Sequence, residues 1–164
     1  KSLLTFGTHE DGPQLRIWRR TNKGWPKESV QIFRDKDLLP DPEFSQPAVF
    51  VNQLDTKVAI VTKTGLAVLN VRKEKLESHL PIPNVGSRRP SGCISPDARW
   101  FVAGDPDGKM WVISLANPAK KPLSFQAHSG PIAGVVISAN GKYMLTAGED
   151  NRVRSWSLGK FMEQ

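Results

Sequence analysis

The sequence predicts an all-β fold of repeated four-stranded antiparallel sheets, and three observations support that prediction. Glycine and proline number 13 each among 164 residues, which favours short segments joined by turns over long helices. Short β-prone runs separated by turn residues recur at a period of about 43 residues. The apolar runs 100–102 and 135–137 put apolar side chains on both faces of a strand, as expected for a sheet that is covered on both sides.

The C-terminal unit is the clearest of the repeats. Its apolar run 132–137 predicts a first strand, and Asn140-Gly141 predicts a tight turn because both residue types tolerate positive φ. Residues 143–146 and 153–156 predict a second and a third strand around a polar turn. The unit is therefore expected to be an antiparallel meander.

Earlier copies of this unit become fainter toward the N-terminus. In the third unit, the turn 95–99 and the strand 100–103 repeat the pattern of the last unit, and Asp107 falls on Asp150. The remaining predicted strands are 58–61 and 66–71 in the second unit, and 3–6 and 14–18, separated by a longer loop, in the first.

The first unit keeps a trace of the same pattern in two residues. Thr5 falls on Thr146, and Trp18 falls on Trp156. The first three units are each followed by a candidate fourth strand. These strands are predicted at 29–33, 75–80 and 122–126.

Sheets of this kind that stack radially, each packed between two others, form the blades of a β-propeller. A single sandwich would alternate more cleanly between polar and apolar residues. The chain 1–164 is therefore predicted to be one partial, open β-propeller. Its blades are assigned to 1–35, which is incomplete, 45–80, 90–126 and 127–164.

The last unit resembles a WD-repeat. The family pattern runs from Gly-His through a Ser-Pro-Asp-Gly turn and an Asp turn to a strand that ends in Trp-Asp. The corresponding residues here are Ala127-His128, the turn 138–141, Asp150 and Trp156-Ser157. Alanine thus replaces the first glycine, and serine replaces the last aspartate. The third unit has Ile113 where tryptophan is expected, so the resemblance is strongest over residues 127–158.

The resemblance implies a hydrogen-bonded tetrad that clips the loop before the inner strand to the turn between the second and third strands. The matching residues are His128, Thr146, Asp150 and Trp156. Read alone, His128 and Asp150 also fit a catalytic dyad, but no nucleophile stands in a comparable context, so the structural interpretation is favoured. Asp107 keeps the turn position of the third unit without the other members, and that unit is expected to be looser or held by other contacts.

The cysteine and the acidic and histidine residues near the N-terminus do not indicate a catalytic or metal site. Cys93 lies in an apolar strand and is interpreted as buried packing rather than a reactive thiol. His9, Glu10 and Asp11 share a polar segment whose spacing defines no metal geometry, and a solvated loop is favoured. We therefore predict no catalytic residue, no metal and no cofactor, and hence no enzyme.

The predicted ring is unfinished. Propellers have about four to eight blades, and four open blades would expose sheet faces and unpaired strand edges. We expect a missing segment to complete the ring, either the rest of a longer propeller or a second copy of this chain. A strained closure of four blades is the third alternative.

The expected function is binding. The resemblance implies that partners bind the face that carries the turns between second and third strands and the loops between blades. On that face we predict partner contacts by Arg88, Arg89, Asp105, Glu149 and Asn151. The chain is predicted to be a protein-interaction scaffold inside the cell, in the cytoplasm, because it has one cysteine and its N-terminus does not match a signal peptide. A regulatory propeller domain fused to an enzyme in a longer native chain is an alternative.

The net charge of +7 leaves a second function open, because a basic surface attracts nucleic acid, anionic lipid or acidic protein. The basic residues form only short clusters, so an ordinary solvated surface is favoured over a nucleic-acid site. A nucleic-acid-associated propeller remains the alternative, and a steep dependence of binding on salt would identify it. No apolar run reaches the roughly eighteen residues of a membrane span, so no membrane partner is predicted.

Overall fold

The computed structural model describes residues 2–9, 12–27, 31–33, 49–51, 57–62, 65–73, 75–80 and 91–162. These residues form fourteen β-strands in four antiparallel sheets, followed by one short helix. The predicted all-β fold is confirmed. The described part of the chain holds no helix of the length and hydropathy that a membrane crossing requires.

Each sheet is built from strands that follow one another in the chain. Sheet 1 contains β1 (Ser2–His9), β2 (Gly12–Arg19) and β3 (Gln31–Phe33). Sheet 2 contains β4 (Val49–Val51), β5 (Lys57–Thr62), β6 (Gly65–Asn70) and β7 (Lys75–Leu80). Sheet 3 contains β8 (Ser91–Ile94), β9 (Trp100–Gly104), β10 (Lys109–Ser114) and β11 (Leu123–Gln126). Sheet 4 contains β12 (Ile132–Ile137), β13 (Tyr143–Gly148) and β14 (Val153–Ser157).

Every sheet is a meander, because strands adjacent in the chain are also adjacent in the sheet. The three predicted fourth strands correspond to β3, β7 and β11. The longer loop predicted in the first unit is wrong: β1 and β2 pair in register as far as His9 and Gly12, so only residues 10 and 11 separate them. The polar composition of this segment suggested a loop, but a strand ladder is held by backbone hydrogen bonds and tolerates polar side chains at its end.

The repeat of the sequence reappears in the hydrogen bonds of sheets 3 and 4. In sheet 4 the Ser138 hydroxyl donates to the Asn140 side chain (2.7 Å) and accepts the N–H of Tyr143 (3.0 Å). The residues one repeat earlier make the same two contacts in sheet 3, at 2.5 and 2.9 Å. The left-handed residue of the turn is Gly141 in sheet 4 (φ 70°) and Ala98 in sheet 3 (φ 57°). The two turns therefore have the same pair of hydrogen bonds and a left-handed residue at the same position.

Apolar side chains form a buried cluster between each pair of consecutive sheets. Examples are Leu15 and Val58 between sheets 1 and 2, Leu66 and Phe101 between sheets 2 and 3, and Val102 and Met144 between sheets 3 and 4. The first strands of neighbouring sheets are also in contact: β4 of sheet 2 contacts β8 of sheet 3, and β8 contacts β12 of sheet 4. Sheet 3 is thus covered on both faces, which explains why all of Trp100–Gly104 is buried. Stacked meanders of this kind are the blades of a partial propeller.

The helix α1 (Gly159–Met162) follows the last strand and was not predicted. Its Phe161 ring stacks on Phe125 of β11, with ring centroids 4.7 Å apart and an interplanar angle of 9°. Phe125 also packs against Trp156, at 4.8 Å between centroids. The helix therefore covers the outer edge of the apolar cluster between sheets 3 and 4.

Candidate functional site

The four residues of the predicted tetrad lie where three segments of sheet 4 meet. His128 precedes β12, Thr146 is in β13, and Trp156 is in β14. Asp150 lies in the turn that joins β13 to β14. The antiparallel ladder fixes the two strands against each other, so the side chains that point to the same face meet.

Hydrogen bonds connect these four side chains in a single chain. The Trp156 indole Nε1 lies 3.0 Å from the Thr146 hydroxyl oxygen. The same oxygen lies 2.8 Å from Nε2 of His128, and Nδ1 of His128 lies 2.8 Å from Oδ1 of Asp150. Together these contacts join the loop before β12 to the turn after β13.

The direction of each hydrogen bond follows from the chemistry of the groups. An indole N–H only donates, so the Thr146 oxygen accepts from Trp156 and keeps its own proton to donate. A carboxylate only accepts, so Nδ1 of His128 carries the proton that is donated to Asp150, and Nε2 of the neutral ring accepts the proton of Thr146. This neutral tautomer gives every member a partner, as buried polar groups require.

The network is buried and closely packed. The side chains of His128 and Thr146 are almost completely shielded from solvent. Gly148 lies directly beside the imidazole, and a Cβ atom at this position would overlap the ring of His128 and crowd Oδ1 of Asp150. A residue without a side chain is therefore required where the strand passes the histidine.

Arg154 is a further member of this cluster that sequence reasoning missed. Its Nη1 donates to Oδ2 of Asp150 at 2.8 Å, and the side-chain exposure of that aspartate is only 8%. The same nitrogen lies 2.6 Å from Nδ1 of His128, but the proton on Nδ1 points to Asp150, so the carboxylate is what holds the guanidinium. Arg154 pairs directly opposite Thr146 in the hairpin, so a correct alignment of the two predicted strands would have placed it beside the tetrad.

The ionisation of Asp150 reflects these contacts. Burial alone would raise its pKa, but hydrogen bonds from Arg154 and His128 and from the backbone N–H groups of Ser129 and Arg152 outweigh that effect. The pKa of the carboxyl group is consequently held well below its ordinary value. Asp150 is a carboxylate at any pH near neutrality, and it carries the negative charge that Arg154 faces.

Sheet 3 holds the corresponding turn with a different aspartate, Asp105, which was predicted to contact partners. That prediction is corrected, because Asp105 is only 3% exposed. Its carboxylate accepts the N–H groups of Asp107 (2.9 Å) and Lys109 (2.8 Å) and the indole N–H of Trp111 (3.0 Å). Asp107, which the sequence predicts at the position of Asp150, donates its backbone N–H to the Asp105 carboxylate. Its own side chain is exposed.

Trp111 of sheet 3 and Arg154 of sheet 4 occupy the same position of the repeat. Each sends a nitrogen donor from the third strand to a carboxylate in the preceding turn. Sheet 1 keeps another part of the pattern, because the Trp18 indole donates to the Thr5 hydroxyl at 2.8 Å. Sheets 3 and 4 therefore use the same repeat position for a donor to the turn carboxylate but fill it with different side chains, whereas the bond in sheet 1 corresponds to that between Trp156 and Thr146.

The other predicted residues do not form one cluster with these groups. Glu149 and Asn151 are exposed in the β13–β14 turn beside Asp150. Arg88 and Arg89 lie outside the described residues, as do Glu10 and Asp11. Within the described ranges, no group of three or more His, Cys, Asp or Glu residues is arranged to hold a metal ion.

The thiol of Cys93 is partly buried in β8. Burial raises its pKa to about 11, against a smaller lowering effect of a backbone hydrogen bond from Ile137. Because the thiolate is the reactive form, this environment makes Cys93 a poor nucleophile at neutral pH.

Comparison with known proteins shows what this part of the chain is similar to. The family model described as "WD domain, G-beta repeat" matches residues 119–157, which include the complete His128–Trp156 network. Striatin from Mus musculus is 42% identical over 57 residues, which cover 30% of this chain and 7% of striatin. The target of rapamycin complex subunit wat1 from Schizosaccharomyces pombe is 29% identical over 68 residues, covering 40% of this chain and 21% of wat1.

A longer but weaker match includes more of the repeats. The pre-rRNA-processing protein crb3/ipi3 from Schizosaccharomyces pombe is 28% identical over 105 residues, covering 63% of this chain and 22% of that protein. The chain therefore spans less than a quarter of the length of each of these relatives. The repeat, the meander sheets and the matched segment lead to one conclusion: residues 119–157 form a repeat of the WD type.

Proposed function

We propose that this protein is a non-enzymatic interaction scaffold and that the outer face of sheet 4 packs against a further propeller blade. The match of residues 119–157 to the WD-repeat model supports a role in protein complexes, and one similar protein is itself named as a subunit of a complex. In this proposal the His128–Asp150 network has a structural role. Its buried imidazole keeps the turns of sheet 4 in place and is shielded from any substrate in solution.

The observation that carries the proposal is an exposed apolar face on sheet 4. Tyr143 is 52% exposed, Leu145 45% and Val153 72%. The corresponding residues one repeat earlier, in sheet 3, are Trp100, Val102 and Met110, and all three are buried in the cluster that sheet 4 covers. The same positions of the repeat are thus interior in one sheet and solvent-exposed in the next.

This difference points to a missing neighbour. Large apolar side chains gathered on one sheet face are unusual on a free surface and mark a contact site. The neighbour that the repeat pattern fits is another blade of the same kind, supplied by a further segment of a longer chain or by a second copy of this one.

The test is the solution mass of the 18.2 kDa chain by light scattering, measured over a range of concentrations. Leu145→Lys combined with Val153→Lys places two charges in the exposed face. Ala116→Lys combined with Ala119→Lys adds the same charge in the exposed loop after β10 and is the matched control. We expect association of the unmodified chain and of the control, and loss of association in the first variant.

The mode of association identifies the neighbour. A discrete dimer indicates that a second copy supplies the blade, whereas open-ended association that the lysine pair suppresses indicates an apolar face normally covered by more of the same chain. A monodisperse monomer whose mass and solubility are unaffected by the lysine pair would contradict the proposal.

A further inference from the structure

A second surface lies on sheets 1 and 2, away from the exposed face of sheet 4. It consists of the loop after β2, residues 20–27, and the loop after β6, residues 71–73, which we call the basic loop pair. Nη2 of Arg19, at the end of β2, donates to the carbonyl oxygen of Val71 at 3.0 Å. This contact places the two loops side by side at the same end of neighbouring sheets.

Both loops carry exposed positive charge. Arg20, Lys23 and Lys27 are exposed in the first loop, and Arg72 and Lys73 are exposed in the second. In the sequence one acidic residue follows each group of basic residues, Glu28 after the first and Glu74 after the second, so the basic residues outnumber the acidic ones by five to two. This excess of positive charge on two adjacent loops creates a local positive potential that attracts a polyanion.

The first of these loops also carries an indole, between Lys23 and Lys27 in the sequence. Trp25 is 50% exposed, whereas Trp100 is buried and the indoles of Trp18 and Trp156 donate hydrogen bonds to threonine hydroxyls. Burying an aromatic ring is normally favourable, so a tryptophan left half in solvent offers a flat apolar face to a ligand.

The turn before Trp25 is ordered by its own hydrogen bonds. The N–H of Thr21 donates to the oxygen of Gly24 at 2.9 Å, and the N–H of Gly24 donates back at 3.1 Å. Gly24 has φ 106°, a conformation that residues with side chains rarely adopt. In the second loop, Oδ1 of Asn70 accepts the N–H groups of Arg72 and Lys73 at 3.0 and 2.9 Å. Both loops are therefore held in defined shapes before any ligand arrives.

We infer that the basic loop pair binds single-stranded nucleic acid, with Trp25 stacking on a base and the flanking cations contacting phosphates. Stacking requires an unpaired base whose face is accessible, which a duplex does not present along its length. An acidic protein segment would use the five charges but has no regular flat group to place on the indole. The residues concerned are separate from the face of sheet 4, so this inference goes beyond the proposed scaffold function and does not depend on it.

The test is fluorescence anisotropy with the full chain and labelled oligouridine and oligo-dT of about 20 nucleotides, each titrated at several salt concentrations. We expect both oligonucleotides to bind, with affinity that falls as salt rises. Trp25→Ala should weaken binding about tenfold, and Trp25→Phe should restore most of the affinity because the phenyl ring still stacks. Replacing Arg20, Lys23 and Lys27 by glutamine should reduce the slope of log affinity against log salt by about 2.

A matched control separates this site from general attraction by a basic protein. Lys120→Gln, Lys121→Gln and Lys142→Gln together remove the same charge as the triple variant above, but from the loops of sheets 3 and 4. This control should bind the oligonucleotides as the unmodified chain does.

Three results would overturn the inference: no binding at low salt, equal affinity of Trp25→Ala and the unmodified chain, or tighter binding of a polyglutamate of equal length. Oligouridine bound more tightly than oligo-dT would support the inference and identify RNA as the ligand, and the reverse would identify DNA. Trp25 and the five cations are on the surface, so these variants are expected to fold, and circular dichroism melting verifies it.

Discussion

Thr146 is the residue on which the sheet 4 network depends, because its hydroxyl oxygen contacts both Nε2 of His128 and the indole of Trp156. Thr146→Val preserves the shape of the side chain and removes both hydrogen bonds. Two buried polar groups then lose their partner, and we expect the free energy of unfolding to fall by about 1–3 kcal/mol. Chemical denaturation measures this. Ser124→Ala, which removes an exposed hydroxyl from β11, is the control and should change stability little.

Asp150 makes the stability of sheet 4 depend on acidity. Its pKa is lowered in the folded state, so its contribution is complete above the ordinary carboxyl pKa of about 3.9 and is lost as pH falls below that value. Asp150→Asn cannot form the ion pair with Arg154. We expect this variant to melt at a lower temperature than the unmodified chain at pH 6, and the difference to shrink as the pH is lowered toward 2.5.

The control for this pH dependence is the exposed neighbouring residue. Glu149→Gln makes the same change of charge one position earlier in the turn. Its melting temperature should follow that of the unmodified chain at each pH. A difference between Asp150→Asn and the unmodified chain that stays constant down to pH 2.5 would show that the carboxylate is not stabilised by its partners.

At the residue scale the motif predicted which residues form the hydrogen-bonded network of sheet 4, but not how the corresponding roles vary between repeats. It named the four residues that the structure brings within hydrogen-bonding distance in sheet 4. It gave Asp105 a surface role, because a charged residue in a turn is usually exposed and the sequence does not show that the Trp111 indole reaches back to it. Such a contact depends on the register of the hairpin, which composition alone does not fix.

At the element scale, the turn between the first and second strands of each sheet determines how the meander folds back. In sheet 4 this turn needs a left-handed residue, Gly141, whose absent Cβ would meet no atom within 4 Å. Gly141→Ala therefore adds backbone strain without a steric clash, and we expect a loss of about 1 kcal/mol. Ala98, at the same position in sheet 3, shows that an alanine is tolerated there.

Gly134 gives a matched control in the same sheet. An added Cβ would lie 3.8 Å from that of Ala147, an ordinary contact, and its φ lies outside the left-handed range. Gly134→Ala should leave stability unchanged or raise it by up to about 1 kcal/mol, because alanine loses less chain entropy in a strand. Equal effects of the two substitutions in denaturation experiments would show that φ at position 141 is not limiting.

The strands were predictable from the sequence because β-prone runs and turn dipeptides are local signals. β7 and β12 have the predicted bounds, and the Asn140-Gly141 turn is present, although only the glycine adopts positive φ while the asparagine side chain accepts hydrogen bonds. Helix α1 was missed because four residues are too few to show a helical period. Its position depends on the aromatic contact between Phe161 and Phe125, which is a tertiary interaction.

At the scale of the whole molecule, the sequence predicts that the sheets stack on one another but not which side chains are in contact between them. Apolar residues on both faces of a strand indicate that a sheet has two neighbours. They do not show which atoms touch. The close approach of sheets 3 and 4, for example, depends on Gly104, where a Cβ atom would collide with the side chain of Ile132. The backbone reinforces the same contact, because the N–H of Ile132 donates to the oxygen of Asp105 at 3.2 Å.

This contact gives a test of how the sheets hold one another. Gly104→Ala should push Ile132 away and lower the free energy of unfolding by about 1–3 kcal/mol, since the core has no room for an added methyl group. Ile132→Ala alone should cost about 2–5 kcal/mol through lost burial. In the double variant two of the three atoms that the added methyl group would meet, Cγ2 and Cδ1 of Ile132, are gone, whereas the Cβ of residue 132 remains. The clash is therefore relieved in part, and the combined loss should be smaller than the sum by at least about 0.5 kcal/mol. Additive losses in denaturant unfolding would mean that the two residues do not meet, and that sheets 3 and 4 are held together elsewhere.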